Sequence, residues 1–155
     1  MQTILTDLYT LQSQEKTESG SYIANIKLNP NHEIFKGHFP GNPVTPGVCM
    51  MQIVKDLTEN FTASKLFLKS ASNVKFMAII NPFETPDLVL QLDITEKDGE
   101  LKVKNTTSFG ETIALKLSVN YTKISGYEID FHFDVHILLI LPIGFGIFEK
   151  QLFQG

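Results

Sequence analysis

The chain contains no arginine; its basic residues are all lysine. With a formal net charge of −4 it has neither a basic stripe nor a guanidinium fork, so it makes a poor nucleic-acid binder. Cysteine is almost absent too. The single Cys49 excludes an intramolecular disulfide and fits a reducing compartment. Long hydrophobic runs are also missing. The most apolar stretch, Ile137 to Phe148, is broken by Pro142, Gly144 and Gly146, and falls well short of the roughly 20 residues a membrane helix takes. The N-terminus has no basic segment followed by an apolar one, so no secretory signal and a cytoplasmic setting are expected. The Asn-x-Thr triplets at Asn60, Asn105 and Asn120 then read as chance matches, not glycan sites. There is no internal repeat and no low-complexity tract.

What remains is an ordinary globular composition: 155 residues, 43% hydrophobic and 19% charged. That length suits one domain able to bury a core without staples. Leu11 to Thr17 and Ser21 to Leu28 flank a Glu18-Ser19-Gly20 turn and read as a β-hairpin, with Tyr22, Ala24, Ile26 and Leu28 on one face. From Gly47 the period becomes helical. Met50, Ile53, Val54, Leu57 and Phe61 form one apolar stripe, and Lys55, Asp56, Glu59 and Asn60 fall on the polar side. Strands follow at Ala71 to Ile80, Leu88 to Thr95, Leu101 to Phe109 and Ile113 to Thr122, with Asp98-Gly99 a hairpin turn. A hairpin, one long helix and an antiparallel meander make an α+β protein in which a sheet can wrap a central helix.

The stiffest stretch runs from His38 to Val48, with Pro40, Pro43 and Pro46 interleaved with Gly41 and Gly47. Each proline locks φ, and each glycine permits a positive φ. Pro46 sits where a helix start tolerates proline. Such a loop can hold an imidazole opposite a helix N-terminus. The first amides of a helix lack intrahelical partners and carry positive partial charge, so a carbonyl placed there is polarised and an enolate-like oxyanion stabilised. Gly47, without a side chain, lets a ligand approach its N–H. A neutral His38 could take a proton next to that carbonyl, and a loop carbonyl such as that of Val44 could hold the other ring nitrogen. These parts suit proton abstraction α to a thioester or ketone.

Gly37-His38-Phe39-Pro40-Gly41-Asn42-Pro43-Val44-Thr45-Pro46-Gly47-Val48 closely resembles the signature of the 3-hydroxyacyl-acyl-carrier-protein dehydratases of bacterial fatty acid synthesis. Val74-Lys75-Phe76, Asn81-Pro82 and Asp87 look like that family's strand and turn after the helix, with the turn altered to Glu84-Thr85-Pro86-Asp87. The resemblance covers roughly Leu11 to Ile124. It implies the hotdog fold and elimination of water from 3-hydroxyacyl thioesters to give trans-2-enoyl thioesters, with no cofactor and no metal. It implies His38 as base, the Gly47 N–H on the thioester carbonyl and the Val44 carbonyl orienting His38. Phe39, Pro46 and Val48 would join Val44 in contacting the acyl substrate. Acyl carrier protein would deliver that substrate to a homodimer or a trimer of dimers.

Two departures stand out. In that family a carboxylate on the central helix, contributed by the other subunit, acts on the β-hydroxyl; the matching position here is Gln52. An amide can hold the hydroxyl but does not donate a proton near neutral pH. His38 would then serve as sole acid and base, with Gln52 positioning the hydroxyl; Glu33 and Glu59 are the other acids nearby. The family's His-Arg-Pro-Phe-like segment is also missing from Met1 to Thr10. Two other readings follow: a catalytically quiet acyl-binding partner of an active dehydratase, or an acyl thioesterase on the same fold.

The remaining features read more plainly. Cys49 is expected as a small buried hydrophobe, and His32 as loop surface. Lys36, Lys65, Lys69 and Lys75 are either a patch for an acidic carrier protein or scattered surface charges. Residues 1–124 are expected to form the domain, and 125–155 an apolar extension. Asp130, His132, Asp134 and His136 would share one strand face there, a metal-like set read as a solvated polar face.

Overall fold

The computed structural model describes residues 6–124. The extension, with its Asp/His set, lies outside the described residues. The elements run β1 (Tyr9–Lys16), β2 (Tyr22–Leu28), α1 (Ile34–Gly37), α2 (Gly47–Thr62), β3 (Leu66–Phe76), β4 (Asp87–Lys97), β5 (Glu100–Phe109) and β6 (Thr112–Lys123). The strands make one antiparallel sheet in the order β1-β2-β4-β5-β6-β3. Among the described residues no helix is long and apolar enough to cross a membrane.

The expected α+β architecture is present. Met50, Ile53, Val54 and Leu57 of α2 are buried, as are Leu88, Leu90 and Leu92 of β4, Leu101 and Val103 of β5, and Leu115, Leu117 and Val119 of β6. The period of two along each strand thus becomes the sheet's inner face, and the helical stripe packs on it. Asp98 and Gly99 both take positive φ, as a tight two-residue hairpin turn requires. Helix α2 starts after Pro46 and ends at Ala63, whose left-handed conformation lets its N–H reach the Glu59 carbonyl.

Four details differ from expectation. Strand β3 begins at Leu66 and stops at Phe76, instead of spanning Ala71 to Ile80. Its pairing with β6 shifts register between Leu68 and Ser70 and again between Ser72 and Lys75, with Asn73 at φ 51°, which blurs the alternation that would reveal it. Residues 77–80 instead turn toward the stiff loop, where the Thr45 N–H donates to the Ile80 carbonyl at 2.9 Å. A short helix, α1, which no signal in the sequence announces, precedes the stiff loop between β2 and α2. In the β5–β6 pairing the register slips, Thr107 facing Leu115 and Ser108 facing Ile113, so Ala114 is buried and Ile113 faces out. Finally, the polar side of α2 is solvated only at Asn60: Lys55 is 4% exposed, and Asp56 and Glu59 are half-buried. The sheet encloses most of the helix, so over the span Val48 to Lys55 both sides of it lie under protein.

Candidate active site

His38 caps the C-terminal end of α1, and the loop after it is closed by its own backbone. Asn42 N–H donates to the Phe39 carbonyl at 2.9 Å, and Phe39 N–H donates back at 3.2 Å. Gly41, at φ 77°, makes that turn possible. Val44 N–H then donates to the His38 carbonyl at 2.9 Å, so the chain doubles back beside the histidine before entering α2. The His38–Phe39 peptide is cis. The Pro46 carbonyl accepts the amides of Cys49 and Met50 at 3.0 and 3.2 Å, which starts the helix with Gly47 as its first residue.

Partial burial lowers the His38 pKa below the usual imidazole value. The neutral ring, which can act as a base, therefore persists to lower pH. The imidazole meets the Phe39 ring edge-on, with centroids 5.3 Å apart. It borders a cleft of about 610 Å³ shared with His32, Glu33, Ile34 and Gly37. Phe39, 53% exposed, lines a neighbouring cleft of about 540 Å³ with Phe35, Lys36, Pro43 and Phe83. Val44 and Pro46 are buried in the loop, and Val48 and Cys49 are fully buried in the core.

Gln52 lies elsewhere. It is buried on α2 and borders a cavity of about 10 Å³ with Met51, Lys55, Leu68 and Tyr121. Within one chain, His38 and Gln52 line different cavities. Gln52 Nε2 donates to Asp56 Oδ1 at 2.9 Å, and the Tyr9 hydroxyl reaches Asp56 Oδ2 at 3.4 Å. Burial raises the Asp56 pKa above the ordinary carboxylate range despite those hydrogen bonds. The Tyr9 hydroxyl is pushed up by burial and by Asp56.

The other two acids have different positions. Glu33 borders the cleft of His38. Glu59 Oε2 accepts the Leu66 N–H at 2.8 Å and pairs with Lys55 Nζ at 3.4 Å, tying α2 to the start of β3. His32 lies on the loop surface, as expected, and its ring ties the loop to residues on either side. Its Nδ1 accepts the Ile34 N–H at 3.0 Å, so Nε2 carries the proton and donates to the Thr6 carbonyl at 3.1 Å. Lys69 is paired with Glu100, which takes one member out of the suggested basic patch. No group of metal-ligating side chains gathers among the described residues.

Asp56, Tyr9 and Thr45 are the site-region residues that sequence reading passed over. The four-residue spacing of Gln52 and Asp56 on a helix was an available signal for the first. Tyr9 is 47 positions from Asp56 and gave none. Thr45, next to the helix start, is 2% exposed, and its hydroxyl has no hydrogen-bond partner among the described residues.

Residues 13–116 match the model of the ApeI-like family, described as ApeI dehydratase. The chain is 29% identical over 111 residues to a 3-hydroxyacyl-[acyl-carrier-protein] dehydratase FabZ of Levilactobacillus brevis, covering 67% of this chain and 73% of that one. A FabZ of Clostridium acetobutylicum is 30% identical over 125 residues, covering 76% and 81%. Among solved structures, the dehydratase heterocomplex ApeI:P from Xenorhabdus doucetiae superposes with a TM-score of 0.60 at 22% identity, over 73% of this chain and 96% of that one. An uncharacterised protein from Erwinia carotovora gives 0.54 at 23% identity, over 77% and 95%. The fold is the hotdog fold, and the matched segment holds both the His38 loop and all of α2. The chain belongs to the ApeI-like dehydratase family.

Proposed function

We propose that this protein eliminates water from 3-hydroxyacyl thioesters carried on acyl carrier protein, giving trans-2-enoyl thioesters. The observation that carries the reading is the His38 loop, closed on itself and leading straight into α2 within the family match. The thioester carbonyl lies at the α2 N-terminus, where the Gly47 amide polarises it. Neutral His38 takes the α proton, and the electron pair moves into the thioester as an enolate. The enolate returns that pair as the C–O bond to the β-hydroxyl breaks, and the proton on His38 passes to the departing oxygen, leaving as water. Val44 orients the imidazole, while Phe39, Pro46 and Val48 flank the acyl group. Gln52, from the other subunit of a dimer, holds the hydroxyl. No cofactor or metal enters these steps.

A buried Cys49 suits a reducing cytoplasm. The second reading is a quiet subunit that binds the thioester for an active partner. Gln52 at the acid's position favours it, and the ApeI:P neighbour is a heterocomplex.

The test is mass loss of water from a 3-hydroxyacyl carrier-protein thioester, with the native chain, His38→Ala and Gln52→Glu. Turnover in the native chain, lost in His38→Ala and raised in Gln52→Glu, supports the dehydratase. A silent native chain rescued by Gln52→Glu supports the quiet subunit. Free thiol would indicate hydrolysis and overturn both.

A further inference from the structure

The least expected side chain near Gln52 is Asp56. It sits one helical turn on, half-buried under the sheet, where a carboxylate needs partners to offset lost hydration. It has them in Gln52 Nε2 at 2.9 Å and the Tyr9 hydroxyl at 3.4 Å. The charged and titratable groups around it are Tyr9 from β1, Tyr121 from β6, and Lys55 and Glu59 from α2 itself.

We propose that Asp56 is a positioning residue for the elimination: its carboxylate takes an amide hydrogen of Gln52 and so fixes which end of that amide is left for the substrate. The proposal rests on the dehydratase reading above. A carboxylate only accepts, so ionised Asp56 admits only the amide nitrogen and turns Gln52 Oε1 away from itself. That oxygen is then the acceptor for the hydrogen of the β-hydroxyl. With its hydrogen so engaged, the hydroxyl oxygen presents a lone pair to the protonated His38, and the imidazole delivers the proton that completes water. A neutral Asp56 can instead donate to Oε1, taking the acceptor from the substrate and freeing the amide to turn. Activity then falls with pH as Asp56 gains its proton, above the ordinary carboxylate range because burial disfavours the charge.

The alternative is a hydrogen bond that only stabilises α2. A double-mutant cycle separates the two. Steady-state kcat and KM are measured on a 3-hydroxyacyl carrier-protein thioester, from mildly acid to neutral pH, for the full chain, Gln52→Ala, Asp56→Ala, the double variant and Asp56→Asn. Asp56→Ala is expected to lower kcat by about 10- to 10²-fold, the order a misplaced reacting group costs, with KM little moved. In the Gln52→Ala background the same change is expected to cost nothing further. Asp56→Asn keeps an acceptor but cannot ionise. It retains more kcat than Asp56→Ala, and its acid limb is shallower, set by His38 alone. Equal losses in both backgrounds, or an unchanged acid limb in Asp56→Asn, would overturn the proposal. No turnover in the native chain fails the dehydratase reading and the positioning role together. Turnover without coupling between the two residues fails the positioning role alone.

Discussion

The β4–β6 meander and helix α2 lie against each other but keep different relations between sequence and exposure. Along β4, polarity reports depth: Leu88, Leu90 and Leu92 point inward while Gln91 and Asp93 point out, and the two polar side chains buried in β5 are held by Asn105 donating to the Gln91 carbonyl and Thr107 donating to Asn105. Along α2 that relation fails. Val48 to Lys55 are all buried, and they include Gln52 and Lys55. A sheet with one wet face can leave its polar residues in water. A helix enclosed by that sheet cannot, and each of its polar groups must find a protein partner. Most polar residues of the meander therefore cost little, whereas most of those on α2 must be matched by a protein partner. Those kept on α2 form two linked groups: Gln52 with Asp56 and Asp56 with Tyr9, and Lys55 with Glu59 and Glu59 with the Leu66 amide.

Changes at the two places should separate chemistry from stability. The largest effect is expected from His38→Ala. It removes the acid and base together, lowering kcat by at least about 10²- to 10⁴-fold. His38 lies outside the hydrophobic core, so the unfolding midpoint should hardly move. A loss of turnover that merely tracked unfolding would break the contrast. Leu90→Ala makes the opposite test. Leu90 is fully buried on β4 between Ala24 and Thr107, and truncating it should cost about 2–5 kcal/mol of stability. Turnover per folded molecule should be unchanged, as denaturant titration beside a rate assay would check. A fall in kcat at full folding would mean the meander helps to shape the site.

How much was legible follows from the same contrast. The hairpin and strands β4 to β6 were readable because each has a core face and a solvent face, and the start of α2 was readable through Pro46 and Gly47. Strand β3 was misplaced, because two register shifts and a positive φ at Asn73 break its alternation. The His38 loop was readable through its prolines and glycines, which constrain backbone wherever they occur. The depth of Lys55 and Asp56 was not, because enclosure by the sheet is a property of the whole fold. The pairing of Tyr9 with Asp56 needs the β1 edge brought against the helix, which no local spacing encodes.

The smallest expected effect is the most discriminating, because it falls where loop and helix meet. Thr45 is 2% exposed, its N–H is held by the Ile80 carbonyl, and its hydroxyl has no partner among the described residues. A buried hydroxyl without a partner costs about 1–3 kcal/mol, which a methyl in its place would recover. Thr45→Val keeps the shape and should raise stability by about 1 kcal/mol, read as a higher unfolding midpoint. If the orphan hydroxyl is a packing defect, catalysis should not notice. It sits directly before Pro46 and Gly47, however, where the thioester carbonyl is proposed to dock. A hydroxyl left unsatisfied there is stabilised when a ligand brings it a partner, so its cost in the free protein becomes selectivity for the bound one. The expectation is a more stable variant with kcat/KM lowered about fivefold, the equivalent of one ordinary hydrogen bond. A variant that gains stability and keeps its full kcat/KM would remove Thr45 from the site and place it with the meander's residues, whose cost and benefit are settled by folding alone.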